Sequence, residues 1–152
     1  DAGNLLKETI ERREDGSAFT EVRVYQYDDN GNPTRLEEDY SGDGSPDYRQ
    51  TWAYDPQGNL VRETLDEDAD GALEELVVYQ YDERGNLLRE ARSENENLPP
   101  DRLATYEYDA NNNLIRDSES EDWNRDGDMD SVQSRTYDST GWGHILGKGV
   151  NH

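Results

Sequence analysis

The stretch YDERGNLLRE, residues 81–90, recurs as YDDNGNPTRL from Tyr27, YDPQGNLVRE from Tyr54 and YDANNNLIRD from Tyr108. With its glycine as marker, the turn falls at Gly3, Gly31, Gly58, Gly85, Asn112 and Gly141, in steps of 28, 27, 27, 27 and 29 residues. Asparagine at the one deviant position fits, because it tolerates positive φ better than other non-glycine residues. A constant period of this length marks a repeat array.

Each unit reads the same way. After the turn comes a short β-type segment, residues 60–65 in the third unit, then an acidic loop, then a longer Val- and Tyr-rich segment, residues 73–81. Two such runs joined by Gly-containing turns make a hairpin. The fold class predicted is all-β: tandem hairpin repeats of about 27 residues in a continuous antiparallel meander of ten strands. The meander is either an open twisted sheet or a spiral, barrel-like form. Five repeats occupy approximately 1–27, 28–54, 55–81, 82–108 and 109–137 within residues 1–141, and a Gly-rich tail follows at 142–152. In the turn, Asp accepts backbone N–H groups two residues on, and Gly supplies the left-handed position of a bulge.

The bulk numbers set limits. Of 152 residues, 30% are hydrophobic and 34% charged, with a net charge of −22. That composition leans toward disorder, but the tyrosines recur at ordered positions. No cysteine is present, which excludes disulfides and thiolate metal sites. No run of 18 apolar residues exists, so helical membrane insertion is not expected. No leader is read, and a start in mid-repeat suggests a processed or excised segment. The acidic surface disfavours nucleic acid and favours cations.

Two columns recur. Tyr27, Tyr54, Tyr81, Tyr108 and Tyr137 end the second strands, behind Phe19, Arg23, Tyr25, Tyr48, Trp52, Val77, Tyr79 and Tyr106 on the same faces. Lys7, Arg35, Arg62, Arg89 and Arg116 recur in the first strands. Stacking predicts Tyr and Arg ladders side by side with cation–π contacts, serving as structure or as an aromatic ligand-binding strip.

The pattern Tyr-Asp-x-x-Gly-Asn-Leu-x-Arg resembles the YD-repeat (Rhs-type) family, with copies from Tyr27, Tyr54, Tyr81 and Tyr108, a remnant at Gly3-Asn4-Leu5, and a last copy at Tyr137–Gly141 lacking Asn-Leu. The resemblance implies a bacterial secreted or surface protein, such as a segment of a large toxin whose repeats spiral into a shell. The units here are longer than that family's, and the extra residues lie mainly in the acidic loops.

Those loops carry the chemistry. Unit five has Asp122, Asn124, Asp126, Asp128 and Asp130 around Gly127. Unit three has Asp66, Asp68, Asp70, Ala72 and Glu74 around Gly71, and unit two has Asp39, Ser41, Asp43, Ser45 and Asp47 around Gly44. Oxygen side chains stand at loop positions 1, 3, 5 and 9 with Gly at 6, and a backbone carbonyl is expected from position 7 (Ser45, Ala72, Asp128). This is calcium-loop order. Position 12 is Gln50, Val77 or Gln133, so the bidentate Glu of a helix-flanked loop is missing. The spacing resembles instead the Asp-x-Asp-x-Asp-Gly-x-x-Asp loops of integrin-type propeller hairpins, whose ninth residue closes the site. Two to three Ca2+ ions are expected. Magnesium, which keeps its waters, fits less well. Unit one (Glu11, Arg13, Asp15, Gly16) and unit four (Ser93, Asn95, Asn97, Leu98, Asp101) depart from the pattern and are read as non-sites.

No catalytic or organic-cofactor constellation is read. His144 and His152 both lie in the tail, and Gly147-Lys148-Gly149 lacks the strand–loop–helix setting of a phosphate loop. The tail is read as a cap, a reach toward a neighbour or a frayed end. The expectation is a non-enzymatic, calcium-stabilised, bacterial secreted or cell-surface protein, acting as a matrix or filament subunit. It would self-associate as a homo-oligomer or fibre through sheet edges or the aromatic face, with no nucleic-acid partner. The alternatives are a surface adhesin that binds glycan or protein through its Tyr/Trp face, and a shell segment of an Rhs-like toxin.

Overall fold

A computed structural model describes residues 4–14, 17–137 and 143–150, with side chains for 4–11 and 20–137. The turn residues Gly3 and Gly141, the loop residues Asp15 and Gly16, and His152 lie outside the described residues. The described residues are all-β, a meander of antiparallel hairpins. The chain divides into two compact units, residues 1–75 and 76–152. The first holds β1 (Leu5–Glu14), β2 (Ser17–Tyr27), β3 (Pro33–Asp39), β4 (Tyr48–Tyr54) and β5 (Leu60–Asp66). The second holds β6 (Glu75–Tyr81), β7 (Leu87–Ser93), β8 (Arg102–Tyr108), β9 (Leu114–Glu121), β10 (Ser131–Tyr137) and β11 (Gly143–Val150). Within each unit every strand pairs antiparallel with its neighbours in the chain.

The repeated decapeptide is a self-contained turn. Asp82 Oδ1 accepts the N–H groups of Arg84 (2.8 Å) and Asn86 (2.9 Å), and Asn86 Nδ2 donates to Asp82 Oδ2 at 2.8 Å. Asp28 with Asn32, Asp55 with Asn59, and Asp109 with Asn113 repeat this. The backbone closes between the same two residues, Asp82 N to Asn86 O at 2.9 Å. Gly31, Gly58 and Gly85 hold φ near +86°, +88° and +84°, and Asn112 takes the same turn position at +65°. Beyond each turn the register slips by one residue at the strand-ending tyrosine: Gln26 faces Arg35, but Tyr27 faces Pro33. The same bulge follows at Tyr54, Tyr81 and Tyr108. The constant Asn is therefore as structural as the Asp, a role the sequence reading did not assign.

These hydrogen bonds, first the asparagine side chain and then the backbone amides, hold the Asp28, Asp82 and Asp109 carboxyls below their ordinary range, and the Asn59 amide leads the same effect at Asp55. A depressed carboxyl stabilises the fold fully above its unfolded value, about pH 4, and that contribution fades as pH falls through the lower folded values. Urea midpoints measured in chelator are expected to be flat through neutral pH and to fall below about pH 4. Asp82→Asn is expected to flatten that acid limb.

The apolar core is small. Among the described residues the buried hydrophobic side chains are Val77 and Ala91, against eight buried polar ones: Glu21, Asp39, Thr64, Asp66, Ser93, Asp117, Ser120 and Asp122. Full burial of a valine-sized side chain stabilises by about 1.5–3 kcal/mol, so little comes from that source. Polar ladders take its place. Thr51 bonds Thr64 at 2.5 Å, and Ser134 bonds Ser118 at 2.9 Å. Trp52 Nε1 and Gln50 Nε2 both donate to Glu63 Oε1, at 3.1 and 2.6 Å. Arg135 Nε and the Tyr137 hydroxyl both bond the Asp117 carboxylate.

The register overturns the expected Tyr–Arg face. Arg35, Arg62, Arg89 and Arg116 stand opposite Gln26, Ala53, Gln80 and Glu107. Directly opposed residues project from the same face, and the next residue along a strand projects from the other. Tyr25, Trp52, Tyr79 and Tyr106 are one residue away and therefore occupy the opposite face, so the ladders do not lie side by side. The bulge, invisible to a count of residues, displaces one column relative to the other. Tyr25 and Tyr27 stack at 6.4 Å, and Tyr40 meets Tyr48 at 6.5 Å.

The tail contributes an eleventh strand beyond the ten expected. β11 pairs with β10 from Tyr137↔Gly143 to Ser131↔Val150, with one irregularity at Ser134/Arg135. Backbone pairing needs no particular side chain, so an open strand edge accepts a Gly-rich segment.

Candidate metal centre

Three of the hairpin loops close in one way. The position-9 amide donates to the carbonyl before position 1: Asp47 N to Glu38 O at 2.8 Å, Glu74 N to Leu65 O at 3.0 Å and Asp130 N to Glu121 O at 2.8 Å. Gly44, Gly71 and Gly127 hold φ near +95°, +97° and +94° at position 6. Position 4 also turns left-handed, through Gly42, Ala69 and Arg125 at +73°, +56° and +59°. Two left-handed residues per loop curl successive amides inward. At Gly42 a side chain has no room, since a Cβ would stand 2.7 Å from Thr20 O.

A buried aspartate anchors each loop from position 1. Asp39 accepts the N–H groups of Gly42 and Gly44, at 2.6 and 2.9 Å. Asp122 accepts those of Arg125 and Gly127, at 2.7 and 2.9 Å. Asp66 Oδ2 accepts that of Gly71 at 3.1 Å. The position-9 carboxylate caps position 2: Asp47 on Tyr40 N (2.8 Å), Glu74 on Glu67 N (2.7 Å) and Asp130 on Trp123 N (2.7 Å).

In unit three, positions 1, 3 and 9 come together without position 5. One oxygen from each of Asp66, Asp68 and Glu74 lies within 4.8 Å of the other two. Oxygens sharing a calcium at 2.3–2.6 Å span up to about 5 Å, so this trio fits one ion. In unit two, Ser41 Oγ lies 3.3 Å from Asp39 Oδ1, and Asp47 accepts the Ser41 amide at 2.8 Å. In unit five, Asn124 Nδ2 reaches Asp130 Oδ1 at 3.5 Å. The position-5 carboxylates instead accept the position-7 amides: Asp43 from Ser45 (2.8 Å), Asp70 from Ala72 (2.7 Å) and Asp126 from Asp128 (2.9 Å).

Asp66 is distinctive. It is 2% exposed, and its Oδ1 is buried without a hydrogen-bond partner. A carboxylate oxygen shut away from water with no donor is costly unless a cation meets it. Oδ2 also accepts from Arg49 Nη1 at 3.0 Å, and Arg49 Nε donates to Glu37 Oε1 at 3.1 Å. Arg49 stands opposite Asp66 in the register, a placement that only strand pairing reveals. In unit two the residue opposite Asp39 is the apolar Val22.

Unit four closes by the same backbone bond, Asp101 N to Arg92 O at 3.0 Å, with Asn95 Oδ1 accepting the Asn97 amide at 3.0 Å in place of a carboxylate. The aromatics at position 2 form another feature the sequence reading missed. The Tyr40 hydroxyl bonds Glu38, and Trp123 Nε1 donates to Glu121 Oε2 at 3.0 Å, leaving the rings 45% and 64% exposed. Burial of its hydroxyl and that bond to Glu38 both push the Tyr40 phenol upward.

No family model and no curated protein matches the chain. Among solved structures, a protein of unknown function from Bacteroides fragilis aligns over 98% of this chain and 93% of its own at 14% identity, with a TM-score of 0.17. A likeness that weak carries no argument about fold or function.

Proposed function

We propose that the chain is a non-enzymatic, calcium-stabilised repeat protein of the bacterial cell surface or extracellular matrix, in which bound ions stiffen hairpins poor in apolar contacts. The observation that carries this reading is the convergence of Asp66, Asp68 and Glu74 with a buried, unpartnered Asp66 oxygen. The proposed location goes with a weak class of site. Calcium sites of extracellular modules work at about 10⁻⁴–10⁻³ M, and we assign these loops, which lack a bidentate twelfth ligand, to that class. Calcium reaches such levels outside cells.

Self-association through strand edges extends the same reading. β1 lies at the end of its unit's sheet and carries Leu5 and Leu6, 65% and 54% exposed. An apolar strand edge invites pairing with a second copy. Sedimentation velocity in millimolar calcium is expected to show dimers or longer assemblies that Leu6→Lys disperses. A monomer at every calcium level would remove the filament role. An adhesin role draws support from Trp123 and Tyr40, which offer exposed rings beside two of the loops. No observation singles out the toxin-shell alternative.

A further inference from the structure

We infer that the loop of residues 66–74 is the primary cation site of the chain, and that Arg49 sets its affinity as a tethered counter-charge. The inference rests on the calcium reading and assigns an order and a regulator to its sites. Three observations carry it. Among the described residues, Asp66, Asp68 and Glu74 are the group whose carboxylates converge as a trio. At the same positions unit two offers Asp39, Ser41 and Asp47, and unit five Asp122, Asn124 and Asp130, two carboxylates and one neutral oxygen in each. Calcium affinity in oxygen loops rises with the number of charged ligands and with the rigidity of the site. Asp66, 2% exposed and with Oδ1 unpartnered, supplies a ligand fixed before the ion arrives.

Arg49 acts from behind that ligand. Its guanidinium bonds Asp66 Oδ2 at 3.0 Å and Glu37 at 3.1 Å, and Arg35 bonds Glu37 in turn. Without a cation, Arg49 offsets the charge buried at Asp66 and keeps the loop anchored. With a cation in the loop, the same carboxylate faces two positive groups, so Arg49 weakens ion binding. Arg49 is thus a positioning residue: it makes the loop foldable before loading and lowers the loop's affinity.

Calcium titration of the full chain by isothermal calorimetry tests both halves. Asp68 is exposed, so Asp68→Asn should fold normally. It is expected to weaken the tightest step about tenfold or more, while Asp47→Asn and Asp130→Asn, at position 9 of the other two loops, leave that step in place. Arg49→Gln is expected to tighten the step several-fold, and Arg49→Lys to restore it, a split that a merely structural role would not produce. Survival of the tightest step in Asp68→Asn, whether or not Asp47→Asn or Asp130→Asn removes it, would overturn the assignment while leaving the calcium reading intact. An unchanged step in folded Arg49→Gln would overturn the role of the arginine. No binding heat from the unaltered chain would overturn both this inference and the function proposed above.

Discussion

A thermal melt in millimolar calcium is expected to lie above one in chelator. An ion bound only by the native state adds about 0.4–1.4 kcal/mol when its concentration is about 1–10 times the dissociation constant, the ratio that millimolar calcium reaches at a site of the proposed affinity. For a chain of this size each kcal/mol moves Tm by roughly 2–4 °C, so one loop raises Tm by roughly 1–6 °C, and further loops add to it. The mechanism is specific to this chain. Its described apolar core amounts to Val77 and Ala91, while Asp39, Asp66 and Asp122 are buried at the loops. Each of these aspartates is held by its own loop's amides, so the loops have a defined ion-free form to which the cation adds. Circular dichroism of the chain dialysed against chelator, then restored stepwise with calcium or magnesium, gives the comparison. Overlapping melts in chelator and calcium would exclude stabilisation by the ion. An equal rise with magnesium would point to general charge screening.

Asp66→Ala is expected to be the most damaging single change in the loops. It removes the acceptor of Gly71 N–H at 3.1 Å and of Arg49 at 3.0 Å, leaving a half-buried guanidinium with Glu37 alone. Removing one partner from a buried, hydrogen-bonded charge pair costs about 3 kcal/mol, discounted here from the upper range because Arg49 retains access to water. In urea the midpoint should fall accordingly even in chelator, and the calcium increment assigned to this loop should vanish as well. Asp70→Ala is the control. Its carboxylate is exposed, lies outside the trio and bonds one amide, so a loss below about 1 kcal/mol is expected. Equal losses from the two variants would mean that Asp66 is not the anchor of the loop.

Much of the fold is legible in the sequence because its signals are local. The Tyr-Asp-x-x-Gly-Asn turn closes within five residues of Asp82, and its period places the turns at Gly31, Gly58, Gly85 and Asn112. The acidic loops are similarly local, and their spacing predicts which residues lie near one another. Within them, however, alternation suggests four equivalent oxygens. The position-5 carboxylates of Asp43, Asp70 and Asp126 each accept the position-7 amide of their own loop with one oxygen.

Other features depend on distant pairings. A one-residue bulge at Tyr27, Tyr54, Tyr81 and Tyr108 sends the arginine column to the face opposite the aromatic one, and no count along the chain registers such a slip. The pairing of Arg49 with Asp66 spans 17 residues and exists only because β4 and β5 align in that register. The sequence by itself determined the hairpins, their period and the acidic character of their bends, since turn chemistry and alternation act over a few residues. Only the tertiary structure decided which faces the columns occupy, that the tail adds a strand and which carboxylate is shut from water, because strand register and burial are properties of neighbours that the chain brings together from afar.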